Sequence, residues 1–472
     1  MWQEIILILT LIECRRLHAR PTSAASFGSN FTVLFPSNNK YTNEKPKISI
    51  TLMNPNIRQT LVKIKYAESF SRDLKEITVI VGSMSYQEVH FNDSLINSCQ
   101  NATHENLVEC ADSRIYISSL KQPIAVLSHW YLPGAGDSFL VLPSSMATNR
   151  YALSAPAPAE DGITTIYFLP QSNNMTVNVV GEINEEPFNN SFSPKLDNGN
   201  LMTIQATSNL ALIVSADAPF TVIVAVEKLP VSSDNNRTDF GVYMPTPLHD
   251  SGEIISDCYN VSDHHVAMLN DAKKFLVTQG NLLCDAEFTV LDEMEHSSIF
   301  SLTEPYNEVE LVEYSQNAGF NSSSAVLQVL KYGYDNELIN GSFLDLVVSW
   351  SQFVTDVTTL FVPSDQNIIT IIGDAKATTT TVSGNPFPNE LIWNWTPITF
   401  YHETFYYCTV SLPVGFYAIK SDGLYTVFVA GQIQGAAYGF VTAHNEQISK
   451  DLPQIKTTVQ PKTTTEIPCK DV

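Results

Sequence analysis

Nearly every stretch of this chain alternates apolar and polar side chains at period two, as in Lys47-Ile48-Ser49-Ile50-Thr51-Leu52 and Thr221-Val222-Ile223-Val224-Ala225-Val226, with turn residues between the runs. Side chains two apart share one face of a strand, so such a chain buries its apolar atoms as sheet. The weight of Thr, Val, Ile, Tyr and Phe agrees. Convincing amphipathic helices are lacking, and short candidates such as Asn209 to Val214 flank β-rich runs. At 44% hydrophobic and 16% charged the chain is a packed globular protein, and 472 residues exceed one ordinary core.

The sequence also repeats itself. Tyr86-Gln87-Glu88-Val89-His90-Phe91 is answered 220 positions later by Tyr306-Asn307-Glu308-Val309-Glu310-Leu311; the same displacement sets Trp130 on Trp350 and Leu140-Val141-Leu142-Pro143 on Leu360-Phe361-Val362-Pro363. Weaker echoes divide each half. Turns centre on Asn54-Pro55, Pro170-Gln171, Asn270-Asp271 and Gly373-Asp374, and a Ser-led turn enters a strand at Ser119 to Val126, Ser215 to Val222 and Ser421 to Val427. The expected fold is all-β: tandem β-sandwich-like modules, in two duplicated halves of two modules each, over residues 27–245 and 246–445. The alternative is a propeller-like closure of the four modules.

The run Ile5-Ile6-Leu7-Ile8-Leu9-Thr10-Leu11-Ile12 has the length of a signal-peptide core and is too short to span a bilayer, so residues 1–19 read as an export signal, with cleavage after Ala19 or Ala24. Ten sequons agree with a secreted glycoprotein: Asn30, Asn92, Asn101, Asn174, Asn189, Asn236, Asn260, Asn321, Asn340 and Asn394. No later stretch reads as a transmembrane segment. With Cys14 in the leader, six cysteines remain, and export favours disulfides. Short loops close at the least entropy cost, which favours Cys99 with Cys110 and Cys258 with Cys284. Cys408 and Cys469 complete the set of disulfide candidates and can pair with each other; the alternative is that Cys408, at the place of the apolar Met202, is a buried thiol, which leaves Cys469 for an interchain bond. Residues 446–472 form a Thr/Pro-rich tail.

A net charge of −23 disfavours nucleic acid and anionic lipid as partners. No catalytic motif is complete. The elbow G-x-S-x-G is missing, and His402-Glu403 lacks the second zincin histidine because Tyr406 stands there. His264 and His265 point to opposite faces of a strand. Asp292-Glu293-Met294-Glu295 and Glu160-Asp161-Gly162 lack EF-hand spacing and read as solvated turns. Gly134-Ala135-Gly136 is no dinucleotide fingerprint. The expectation is therefore no catalytic residue, no cofactor and no metal. Trp393-Asn394-Trp395 with Phe400, Tyr401, Phe405, Tyr406 and Tyr407 is the densest aromatic cluster, read as core packing before a binding surface.

Four blocks, in this order and spacing, carry a resemblance: Gly28-Ser29-Asn30-Phe31 leading to Pro36; Ile115-x-Ile117-x-Ser119 running into Pro123-Ile124-x-Val126; Phe139-Leu140-Val141-Leu142-Pro143; and Gly431 followed by Tyr438-Gly439-Phe440. Over about residues 28–443 the chain resembles the N-terminal domain of the IgGFc-binding protein family, found on mucus-associated and other secreted animal proteins. The resemblance implies an extracellular binding or gel-associated role without enzymatic chemistry. The expected function is a secreted binding or adhesion module of mucus, cuticle or matrix with a protein or glycan ligand. A self-associating matrix protein is the alternative, and a glycan-acting hydrolase stands behind both.

Overall fold

A computed structural model describes residues 24–446 apart from 39–44, 68–73, 98, 100–106, 173–174, 194–199, 232–236, 249–261, 269–273, 281–285, 293, 295, 303–305, 312–315, 336–338 and 386–392. The leader, the Thr/Pro-rich tail, Cys258, Cys284 and Cys469 lie outside these residues. The chain is all-β and builds one module four times.

Module I holds β1 (Asn30–Val33), β2 (Lys47–Asn54), β3 (Thr60–Ala67), β4 (Leu74–Val81), β5 (Ser85–Phe91), β6 (Leu107–Ala111), β7 (Ile115–Ser119), β8 (Ala125–Leu132) and β9 (Ala135–Val141). Its antiparallel sheets run β1-β7-β3-β4 and β5-β2-β8-β9. Module II holds β10 (Thr148–Ala155), β11 (Thr164–Pro170), β12 (Val177–Ile183), β13 (Glu186–Phe192), β14 (Asn200–Ala206), β15 (Leu210–Pro230) and β16 (Thr238–Tyr243). Module III holds β17 (Asp263–Met268), β18 (Lys274–Gln279), β19 (Ala286–Asp292), β20 (Ser297–Leu302), β21 (Tyr306–Glu310), β22 (Asn317–Ser322), β23 (Leu327–Asp335) and β24 (Asn340–Val347). Its sheets, β17-β22-β19-β20 and β21-β18-β23-β24, repeat the strand order of module I. Module IV holds β25 (Val354–Val362), β26 (Asn367–Gly373), β27 (Thr381–Asn385), β28 (Thr396–Phe400), β29 (Glu403–Val410), β30 (Gly415–Ile433) and β31 (Ala436–Val441).

In modules II and IV the same order survives with two strands fused into one. The first part of β15 lies between β10 and β12, and its second part between β11 and β16. β30 does the same with β25 and β27, then β26 and β31. Each long strand therefore replaces the β7–β8 pair of module I. The Ser-led segments mark this bend: Ser119 to Val126 joins β7 to β8, while Ser215 to Val222 and Ser421 to Val427 lie inside β15 and β30. Serine suits the place because its hydroxyl serves the turning backbone. Ser119 Oγ donates to the Gln122 carbonyl at 2.6 Å, and Ser421 Oγ accepts from the Gly423 N–H at 3.1 Å.

The halves share a topology, but not the residue pairs that a constant displacement requires. The Tyr86 and Tyr306 blocks do occupy the equivalent edge strands β5 and β21. Module I then carries residues 92–114, with β6, where module III has only a short link, so the displacement shrinks. Trp130 accordingly sits on β8 against Phe240, at a ring distance of 4.7 Å, whereas Trp350 opens a 3-10 turn against Phe353 and Phe405. Pro143 precedes a 3-10 turn and Pro363 follows β25. Asn270-Asp271 falls outside the described residues and before β18, so it is not the counterpart of Asn54-Pro55; Gln279-Gly280, at the end of β18, is.

The last strand of each module, β9, β16, β24 and β31, is ladder-paired on one side only. The four meet at a common axis, β9 and β24 each packing against β16 and β31. The modules are thus sandwich-like and also closed around a centre. Every second N–H of these strands points at the axis, where it needs an acceptor. Carboxylates supply it. Asp239 Oδ1 accepts from Gly136 (2.8 Å) and Phe240 (2.8 Å), and its Oδ2 from Ser342 (3.1 Å) and Ala437 (2.9 Å), one donor from each module. Two residues along, Asp137 accepts from Ser138, Val242, Leu344 and Gly439 at 2.8, 2.9, 3.2 and 3.4 Å. Small residues allow the approach: a Cβ on Gly241 would lie 2.6 Å from Leu344 Cγ, and one on Gly439 would strike Phe343. The chain ends clasp the ring, with Ser26 N–H donating to His444 O at 3.1 Å and His444 N–H to Ser26 Oγ at 3.0 Å.

Burial drives the Asp137 carboxyl well above its usual range and Asp239 up to about 7, against the pull of their N–H donors. Burial also pushes His129 and His444 down to about 4. The raised Asp239 contributes stability that is fully present below its unfolded value near ~4 and is lost as pH rises through about 7. The depressed histidines oppose this below ~6.5, so the acidic arm stands alone above it. The thermal midpoint should fall as pH rises from about 6.5 to 8. Asp239→Asn should flatten that fall and cost roughly 2–4 kcal/mol, because its amide N–H groups face backbone donors. Chemical denaturation at both pH values checks it; an unchanged slope in the variant would exclude this role.

Candidate interaction surface

The polar groups that resemble catalytic machinery hydrogen-bond to one another within the modules. Ser138 Oγ lies 2.6 Å from His129 Nδ1, and His129 Nε2 lies 2.9 Å from Thr51 Oγ1, while Tyr131 also bonds Ser138. All of this is sealed in module I, with Phe361 of module IV edge-on to the imidazole at 6.0 Å. His264 and His265 do face opposite ways. His264 is half-buried beside Ser262, whereas His265 is buried, with Nδ1 donating to Val347 O at 2.7 Å and Nε2 3.1 Å from Asp263 Oδ2. Burial resists ionisation of Asp263, yet the His265 ring and the Leu327 N–H hold its carboxyl below the usual range. Asp292 caps its own turn by accepting from the Met294 and His296 N–H groups. Glu160 and Asp161 lie on an exposed turn, Gly134 to Gly136 forms the β8–β9 turn at the axis, and His402 sits in the β28–β29 turn. Glu293 lies outside the described residues. Among the described residues, no three His, Cys, Asp or Glu side chains converge as a metal site, and no helix is long and apolar enough to cross a membrane.

Cys99 and Cys110 form the expected disulfide, which ties β6 to the segment before it, and β6 ladders with β14 of module II. Cys408 is a free, buried cysteine, its thiol pushed up to about 12 by burial. The sequon residues Asn30, Asn92, Asn189, Asn340 and Asn394 are exposed; Asn30 and Asn189 lie on the edge strands β1 and β13. Asn321 is half-buried on β22, between β17 and β19. Asn340 also accepts from the Arg237 guanidinium. Asn101, Asn174, Asn236 and Asn260 lie outside the described residues.

The aromatic cluster is spent between modules. The β28–β29 hairpin of module IV sets Phe400 against Gly319 and Tyr401 against module III, its hydroxyl donating to the Thr289 and Gly319 carbonyls at 2.8 and 2.9 Å. Phe405 meets Trp350 edge-on at 4.8 Å. Trp393 and Trp395 stack on each other at 6.3 Å, half-buried, with Asn394 exposed between them.

Exposed apolar side chains gather at one end of module I, at the β2–β3, β4–β5 and β7–β8 turns, while others, Ile299 and Met294 of module III, Val180 of module II and Val414 of module IV, stand elsewhere on the surface. Ile57 is 84% exposed, Ile80 59%, Leu120 49% and Met84 37%. Leu61 pairs with Ile80 and its carbonyl accepts from Leu120 N–H, so Leu120, Leu61 and Ile80 form one row across the outer face of the sheet. Two buried or half-buried asparagines lock the three turns together. Asn54 Nδ2 donates to the carbonyls of Arg58 (2.8 Å) and Gly82 (2.7 Å), and Asn56 Nδ2 to that of Pro123 (2.8 Å). Met84 N–H closes the set on Asn56 O at 3.0 Å. Arg58 and Lys121 are exposed beside Ile57 and Leu120. Residues 45–81 hold seven of the chain's 26 lysines and arginines against three of its 49 acidic residues. The tip thus combines fixed, exposed apolar side chains with cationic neighbours on an acidic molecule. Sequence reading locates the Asn54-Pro55 turn but not this surface, whose side chains come from three separate turns.

No protein-family model matches the chain, and no curated protein matches it.

Asn54→Ala should free the tip at a cost of roughly 1–3 kcal/mol, the loss of a buried amide's partners. Limited proteolysis should then cut within residues 55–59 or 82–84 while the rest of the molecule stays resistant; a digestion pattern like that of the wild type would show that the asparagine does not hold these turns.

Proposed function

We propose that this chain is a secreted glycoprotein that binds a component of an extracellular layer through the tip of module I. The observation that carries the reading is the tip itself: four large apolar side chains exposed on turns that asparagine hydrogen bonds hold rigid. Preorganised apolar groups lose little entropy on contact, so they are favoured as anchors. Five exposed sequon residues, the apolar leader and the resemblance to the IgGFc-binding family support an extracellular setting. Ile57→Asp with Ile80→Asp should abolish retention of a ligand from mucus, cuticle or matrix extract, with folding unchanged by circular dichroism. Full retention by the folded double variant would rule out the tip.

Self-association is the second reading, favoured by the contrast between the cationic stretch 45–81 and the acidic remainder. It requires sedimentation that depends on concentration and weakens with salt.

Export by the leader also meets a constraint from the clasp. Ala24 is buried, its carbonyl accepts from Phe27 N–H, and Ala25 N–H donates to Asn445 Oδ1 at 3.2 Å. Cleavage after Ala19 preserves these contacts. The mature protein should begin at Arg20 on N-terminal sequencing; a start at Ala25 would show that the buried Ala24 is dispensable.

A further inference from the structure

We propose that Lys331 and Asp345 condense into an intramolecular isopeptide bond between β23 and β24. The two are direct cross-strand partners, so neither can drift from the other. Lys331 is 3% exposed and Asp345 6%. Lys331 Nζ lies 3.6 Å from Asp345 Oδ2. The Phe428 ring, 4.1 Å from Nζ, and the Phe343 ring, 5.8 Å away, wall the pair from water. The other oxygen is already held as an acyl-transfer oxyanion would be, with Oδ1 accepting the N–H groups of Leu346 at 2.8 Å and Val441 at 3.1 Å.

The step begins with a proton passing from Nζ to Oδ2, which gives an amine beside a carboxylic acid. The amine lone pair then attacks Cγ, and the displaced π electrons go to Oδ1 between its two N–H donors. A second proton moves from nitrogen to Oδ2. The Cγ–Oδ2 bond breaks with its electron pair, water leaves, and the Oδ1 carbonyl re-forms. Ammonium and carboxylate thus become one amide and one water, with no further reactant, and the fixed proximity of the partners supplies the approach. The other two carboxylates at the axis lack such a partner strand residue: Trp130 faces Asp137, and Leu229 faces Asp239. The bond ties the third axial strand covalently to its sheet.

Peptide mapping by tandem mass spectrometry of the folded, secreted wild-type protein tests it. The expected result is a branched peptide joining Lys331 to Asp345, lighter by one water than the sum of its two arms. Lys331→Met and Asp345→Ala should give linear peptides at full mass. Asp345→Asn can condense with loss of ammonia instead, and its branched product should equal that of the wild type in mass. Intact linear peptides carrying Lys331 and Asp345 in the wild type would overturn the proposal and leave a buried ion pair. The wild-type map decides the matter even where a variant fails to fold.

Discussion

Four sheet edges meet at one axis, and the structure depends on how their inward N–H groups are satisfied. An edge strand buried without partners would leave a row of unpaired donors, each costly in a dry interior. The chain answers with Asp239 and Asp137 on the axis, each of their oxygens accepting two donors. Asp239 takes one N–H from every module, and Asp137 does the same two residues further along. A neutral amide has only one acceptor atom and could not serve four donors. The burial that raises both carboxyls is thus the cost of closing four sandwiches into a ring. One continuous apolar cluster reaches into all four modules, with Trp130, Phe240, Val266 and Phe361 in it.

Much of the fold was legible in the sequence because strand periodicity and turn chemistry are local. The alternation along Lys47 to Leu52 is β2, and the Ser-led segments mark the bend of three modules because a serine hydroxyl is needed there. The fourth instance, Ser322 with Ser323 and Ser324, escaped because its strand reads Leu327-Gln328-Val329 without the Pro or Gly that flags the other three. There Ser322 Oγ donates to Glu287 O at 2.8 Å and accepts from Ala325 N–H at 3.1 Å. The constant displacement misled at Trp130 and Trp350 because an insertion, β6, shifts everything after β5. Cys408 forms no disulfide among the described residues, so of its two readings the buried thiol is the one seen; Met202 and Cys408 precede Thr203 and Thr409, which face Tyr167 and Thr370 in equivalent ladders.

The axis and the tip were not legible, for different reasons. Asp137, Asp239 and Asp345 are each a lone acid within a strand, as in Phe343-Leu344-Asp345-Leu346-Val347, and a pattern reading assigns such an acid to solvent. Only the meeting of four distant strands turns it inward. The tip fails in the opposite sense. Ile57, Ile80, Met84 and Leu120 look like core residues one by one, and only the turn geometry leaves them outside.

The four modules share one strand order yet use their surfaces differently, which locates function better than the fold does. Module IV turns its hairpin aromatics, Phe400 and Tyr401, onto module III, so the cluster most conspicuous in the sequence serves assembly. On modules I and II, the sequon residues Asn30 and Asn189 stand on the edge strands β1 and β13, where a glycan would block pairing with another sheet. The far edge of module I differs: β4 carries exposed Ile80 and Leu74 and no sequon. An exposed apolar edge is a liability for a soluble chain unless something is meant to meet it. The same edge adjoins turns stitched by Asn54 and Asn56, so its side chains are held in fixed positions relative to one another.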